Sequence, residues 1–236
     1  MNKKYANIII IAVSIIIAAL IIIPFAIQPF EEPSGKFFKV SSHGDSRVNI
    51  LLVSWLGCPI GASLSWPLYF ALTHYGNVSY YQWHSDPSDV YPDTPGLIFT
   101  GFKSNDINAT FIYLYNETLT GNAQNKTING NLVDYGLSEL KSSVNVSEYE
   151  IIKKYTTQEW ISGSFFQSSA DSVSPHHINT VLLISGPNGT YFLNGGLYSP
   201  KNISSYSDNY LMENGLNITY IRSAENEIEN QIKTVE

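Results

Sequence analysis

The sequence predicts an α/β fold with a mixed α+β insertion, preceded by one N-terminal transmembrane helix. Three observations carry that expectation. An uncharged apolar run occupies residues 8–23. A second apolar run, residues 48–53, ends in the tight turn Gly57-Cys58-Pro59-Ile60-Gly61, which opens an amphipathic segment. A hairpin pattern, residues 180–185 and 190–193, brackets Gly186-Pro187-Asn188-Gly189.

The 236 residues allow one medium domain with appendages. Hydrophobic residues make up 44%, enough for a core, but charged residues only 14%, against about 25% in soluble domains. Uncharged polar groups must therefore cover the surface. The net charge of −7 comes without a basic run, which argues against nucleic acid, because phosphate recognition needs clustered Lys and Arg. A surface of hydroxyls and amides changes little as carboxylates titrate, and so suits an acidic exterior.

Residues 8–27 supply about 20 apolar positions, the length a bilayer core requires. Lys3 and Lys4 precede them, and Glu31 and Glu32 follow. The positive-inside bias places the N-terminus in the cytoplasm and the bulk of the chain outside. The run is longer than a signal-peptide core and lacks an Ala-x-Ala site, so an uncleaved anchor is preferred over a cleaved signal or a prepilin-type leader. Residues 1–29 are thus read as a cytoplasmic stub and anchor. Eight Asn-x-Ser/Thr sequons fall on the outer side, at Asn77, Asn108, Asn116, Asn125, Asn145, Asn188, Asn202 and Asn217. They make a glycosylated extracellular domain the expectation, although a chain rich in Asn, Ser and Thr also produces sequons by chance.

Residues 30–46, with Pro33, Gly35 and Gly44, read as a linker. Residues 48–55 form a buried strand. Leu64, Leu68, Ala71 and His74 recur at helical spacing over residues 59–75, and Gly76 stops that helix. Pro67 should kink it. Residues 78–83 are a second strand, rich in Tyr and Val. After a proline-rich loop, residues 96–102 and 110–115 form a hairpin or edge pair. Residues 132–142 and 147–155 are helices, the second with Ser147 as N-cap. Helical pattern returns from Pro200, and residues 221–236, polar with sparse apolar positions, read as a tail or frayed surface helix. The ectodomain covers residues 47–220, with its insertion at about 85–178.

The order of strand, cysteine-bearing helix, strand, insertion, hairpin and helix is that of a thioredoxin-like fold with an insertion. Cys58-Pro59-Ile60-Gly61-Ala62 with Trp66, and Ala71-Leu72-Thr73-His74-Tyr75-Gly76-Asn77, are similar to an archaeal family, domain of unknown function 929. So are Ser88-Asp89-Val90-Tyr91-Pro92-Asp93-Thr94-Pro95 and Gly195-Gly196-Leu197-Tyr198-Ser199-Pro200. The resemblance implies a single-span, membrane-anchored, thioredoxin-like protein, often with a Cys-Pro-x-Cys site. This chain departs from that pattern twice. Gly61 stands in place of the second cysteine. Thr180, in Ile178-Asn179-Thr180-Val181, stands where a cis-proline would begin the hairpin, and Thr94-Pro95 is the other candidate for that proline.

A dithiol site works because one thiolate attacks and its neighbour resolves the mixed disulfide. Cys58 is the only cysteine, so that cycle is unavailable within one chain. What remains is a thiol at a helix N-terminus, where the dipole favours the thiolate. It is a candidate nucleophile, or the bridge of a disulfide-linked dimer. The competing reading is a buried structural cysteine, the commoner fate of a free thiol. Trp55, Pro59, Gly61, Thr180 and His177 are the candidate binding residues around it. Trp55 divides evenly between core packing and a partner surface. His176 and His177 lack metal-ligand spacing, and His84, Asp86 and Asp89 are explained by a turn with Asx caps. No cofactor or metal is expected. The functional expectation is a redox-inactive or degenerate domain that binds a protein or peptide partner. The alternative is a monothiol thiol–disulfide exchange enzyme using Cys58.

Overall fold

The apolar run at residues 48–53 does not alternate with polar positions, as suits a strand covered on both faces, and it forms the centre of the main sheet. The computed structural model describes residues 3–27, 31–162, 164 and 166–236. In chain order the elements are α1 (Lys3–Ile27), β1 (Glu31–Glu32), β2 (Phe38–Ser41), β3 (Asn49–Ser54), α2 (Pro59–Thr73) and β4 (Asn77–His84). Next come β5 (Pro95–Lys103), β6 (Asn108–Tyr113), α3 (Leu132–Ser143), α4 (Val146–Thr157) and β7 (Trp160–Ile161). The chain closes with β8 (Val181–Gly186), β9 (Gly189–Asn194), α5 (Asp208–Asn214) and α6 (Thr219–Val235).

The main sheet is mixed, with strand order β2-β9-β8-β3-β6. β3 runs parallel to β6 and antiparallel to β8. Its side chains alternate between two cores. Ile50 and Leu52 meet α2 and α6 through Leu64, Leu68, Ile228 and Ile232, whereas Leu51 and Val53 meet Leu140, Ile152 and Tyr155 of α3 and α4.

Several expectations change. The segment read as a linker contains β2, which pairs with β9. β4 and β5 pair with each other in a separate two-stranded sheet, so β5 is not the hairpin partner of β6. The strand beside β3 is β6, from within the span read as insertion. The N-cap of α4 is Asn145 rather than Ser147; its side chain accepts from Glu148 N–H, and the Glu148 carboxylate accepts from Asn145 N–H. α6 is packed rather than frayed: Ile221, Ala224, Ile228, Ile232 and Val235 lie on one helical face and are buried.

α1 forms, but among the described residues no helix is long and apolar enough to cross a membrane, so the expected transmembrane helix is not supported.

α2 passes through Pro67 without interruption. Proline has no N–H, so the carbonyl of Ser63, one turn back, loses its helical partner. Tyr198 Oη donates to that carbonyl at 2.7 Å. Trp66 Nε1–H donates to Pro95 O at 2.9 Å, and Leu97 N–H donates to Ser65 Oγ at 2.8 Å, fastening β5 to the same helix. A Cβ at Gly96 would lie 2.6 Å from Ala62 Cα, so only glycine permits this approach.

Glu32 is wholly buried, and neither carboxylate oxygen has a hydrogen-bond partner among the described residues. Burial pushes its pKa up to about 8; the Asn194 side chain opposes this and the Glu159 charge adds to it. The folded protein therefore holds a proton that the unfolded chain releases at lower pH. Stability from this group is full below the unfolded value of 4.5 and falls as pH rises toward about 8. The thermal midpoint should decline between about pH 5 and pH 9, and Glu32→Gln should flatten that decline. A variant with the wild-type slope would show that Glu32 does not set it.

Candidate binding cleft at the Cys58 turn

β3 and β8 are aligned with Val53 opposite Val181. That register brings Ser54, at the end of β3, against Thr180, just before β8. The turn after β3 then delivers Cys58 to the first turn of α2. The result is a short polar chain: Ser54 Oγ to Thr180 Oγ1 at 2.7 Å, and Thr180 Oγ1 to Cys58 Sγ at 3.0 Å. Cys58 is also the N-cap of α2, its sulfur accepting from Gly61 N–H at 3.3 Å.

Two loops enclose the turn. Asp86 N–H donates to Gly57 O at 3.0 Å. On the other side Gly57 lies against the Glu117 carbonyl so closely that a Cβ would overlap it. Cys58 is only 6% exposed. Burial pushes its thiol up, and the bonds from Thr180 and Gly61 oppose this only in part. A neutral, buried thiol is a poor nucleophile.

Gly61 is not a vacant position. A Cβ there would overlap Ser54 Oγ and lie 3.1 Å from Thr180 Oγ1. The Ser54 hydroxyl thus fills the space into which a side chain at residue 61 would begin. Ser54 was absent from the sequence expectation; a polar residue closing an apolar strand was the available signal.

Beside the turn lies a cleft of ≈ 480 Å³. Trp55, Cys58, Pro59, His177 and Thr180 all line it, together with Ile60, Val90, Tyr91, Val173 and Asn179. Gly61 lies beneath, against Ser54 and Thr180. Trp55 Nε1 and Asn179 Oδ1 are buried and have no hydrogen-bond partner among the described residues. One is a donor and the other an acceptor. The Asn179 amide nitrogen is engaged, donating to Ser169 O at 2.9 Å.

Residues 36–234 match the model of a family described as "Domain of unknown function (DUF929)". The chain belongs to this family. No curated protein and no solved structure matches it.

In this DUF929 chain the remaining candidates fall as follows. His177 packs its ring edge-on against Trp55, with centroids 5.4 Å apart, and shares Nδ1 with Pro175 O at 2.7 Å. A carbonyl only accepts, so Nδ1 carries the proton. Burial lowers the pKa of His177 and keeps the ring neutral. No hydrogen bond joins it to Cys58 among the described residues. Thr94–Pro95 is not cis; among the described residues the cis bond is Ser174–Pro175. His84 pairs with Asp208 at 3.6 Å, while Asp86 and Asp89 accept from the N–H groups of Ser88 and Tyr91, two residues on, as Asx turns do.

Of the sequon asparagines, Asn77, Asn108, Asn125, Asn145, Asn188 and Asn217 are exposed and Asn202 is half-buried. Asn116 is buried: its Nδ2 donates to Thr120 Oγ1 and Asn125 Oδ1, and its Oδ1 accepts from the N–H groups of Thr120 and Gly121. Its side chain is committed to the turn.

Gly61→Ala should destabilise the fold by about 1–3 kcal/mol through overpacking. Adding Ser54→Ala should relieve part of that loss, because the overlapping oxygen is gone. Denaturant unfolding of both single variants and the double variant measures this coupling. Strictly additive effects would show that Ser54 and residue 61 do not compete for one space.

Proposed function

We propose that the chain is a membrane-anchored, extracytoplasmic, thioredoxin-like protein that binds an extended peptide segment of a partner in the cleft beside Cys58. The fold assignment is supported by the sheet order β9-β8-β3-β6, with β6 parallel and β8 antiparallel to β3. It is also supported by the cysteine-bearing helix after β3 and the closing helix α6. Thr180 meets the sulfur where a cis-proline would lie in such a fold.

One observation carries the peptide reading. The cleft is walled by the apolar side chains of Trp55, Ile60, Val90 and Val173, with Thr180 and Asn179 among them, the mixture of apolar area and a few polar groups that suits an extended peptide. Val90, 86% exposed at the rim, supplies apolar area for a partner to cover.

The redox-inactive part rests on Ser54. Its hydroxyl occupies the space beside residue 61, and burial holds the Cys58 thiol neutral. The alternative, monothiol exchange, draws on the position of Cys58 at the cleft wall and on the Gly61 N–H at its sulfur.

The anchor reading rests on the uncharged apolar sequence of residues 8–23 and its weak continuation to residue 27. Ile8, Ile10, Ile15, Ile16 and Leu20 are each more than half exposed. A helix apolar on all sides calls for an apolar environment. The chain should remain in the membrane pellet after alkaline extraction; release into the supernatant removes the anchor.

The test of function uses the full chain in nanodiscs and a labelled, permanently unfolded, cysteine-free polypeptide, with fluorescence anisotropy as readout. Wild type should bind it, Cys58→Ser should bind equally, and Trp55→Ala should bind at least about tenfold more weakly. Cys58 should react with iodoacetamide at least about tenfold more slowly in the folded protein than in the unfolded chain. Fast alkylation, together with a mixed disulfide formed by a cysteine-bearing polypeptide, would favour exchange instead.

A further inference from the structure

A second cluster lies away from the cleft, where the end of α2 meets α6. His74 caps the C-terminus of α2. Glu225 and Glu229 are four residues apart on α6 and so share one helical face. His74 Nε2 is 3.2 Å from Glu225 Oε1, and one ligand atom from each of the three residues lies within 4.8 Å of the others.

An ion pair between exposed His74 and buried Glu225 explains the first contact alone. It does not explain Glu229. That residue is only 9% exposed, and its Oε1 has neither water access nor a hydrogen-bond partner among the described residues. Its Oε2 is engaged, receiving Tyr75 Oη at 3.3 Å and Lys233 Nζ at 3.2 Å. Glu225 is 7% exposed. The Glu236 charge also acts on this corner through Tyr75. Nearby carboxylates thus outnumber the single lysine, and one carboxylate oxygen is dry and unspent.

We propose that His74, Glu225 and Glu229 form a site for a borderline divalent cation of the Zn²⁺ class. One imidazole nitrogen and two carboxylates are a donor set that suits Zn²⁺, with the fourth position open to water on the exposed His74 side. Ligand atoms around tetrahedral Zn²⁺ lie about 3.4 Å apart, so Glu229 must swing inward by roughly 1 Å. Lys233 keeps Oε2, and Oε1 turns to the ion. The bound cation would staple the C-terminal helix to the helix that carries Cys58.

The experiment uses the full chain, stripped with chelator and held in nanodiscs, titrated with Zn²⁺ by calorimetry and with Co²⁺ by visible absorption. Wild type should bind about one Zn²⁺ per chain, show a raised thermal midpoint, and give the intense Co²⁺ bands of four-coordinate N/O ligation. His74→Ala and Glu229→Gln should each weaken binding at least about tenfold, while Glu150→Gln, at an exposed position of α4, should leave it unchanged. If either variant fails to fold, the wild-type Co²⁺ spectrum still decides. Faint six-coordinate bands, Ca²⁺ or Mg²⁺ held in preference to Zn²⁺, or binding indifferent to both variants would each overturn the site.

Discussion

When β3 pairs with β8, Val53 falls opposite Val181, and most of what distinguishes this molecule follows from that alignment. The strand next to β8 could not slip by one residue without exchanging its two apolar faces, because Ile50 and Leu52 fill one core and Leu51 and Val53 the other. With that slip forbidden, Ser54 must meet Thr180. The turn then brings Cys58 to the same hydroxyl, and the cleft wall is built outward from there. The polar chain Ser54–Thr180–Cys58 is thus a by-product of apolar packing, held in place by a sheet that tolerates no alternative.

The same arrangement separates the two halves of a redox site. Helix N-capping and the Gly61 N–H draw the sulfur toward the thiolate. Desolvation opposes them and wins, as the direction of the thiol shift records. The loops at residues 85–94 and 116–121 decide this contest by sealing the turn. A cysteine at the start of a helix is therefore not activated by position alone; solvent access sets the sign.

Local pattern explains which parts of the fold could be read from the sequence. β3, α2, the β8–β9 hairpin, α3 and α4 each carry their own periodicity or turn chemistry, and their bounds were close. The partnership of β6 with β3 is non-local and leaves no mark on either strand, so local pattern could not reveal it. α6 was misread because its apolar positions are diluted by charged neighbours, although they recur every three or four residues. Asn145 and Ser147 are both capable caps, and only the capping box with Glu148 separates them. The candidate residues Trp55, Pro59, His177 and Thr180 could be placed near Cys58 by fold order. Ser54 could not, because its part depends on the missing Cβ of a residue seven positions away.

The bond from Tyr198 to the Ser63 carbonyl has a consequence for how such sequences diverge. Pro67 creates an orphaned acceptor, and a tyrosine 131 positions along the chain satisfies it. Tyr198 is not free to drift while Pro67 stays. Replacing Pro67 returns an N–H to the helix and relaxes the demand on residue 198; losing Tyr198 first leaves the carbonyl stranded. The order of changes is therefore constrained, and the two positions form an epistatic pair.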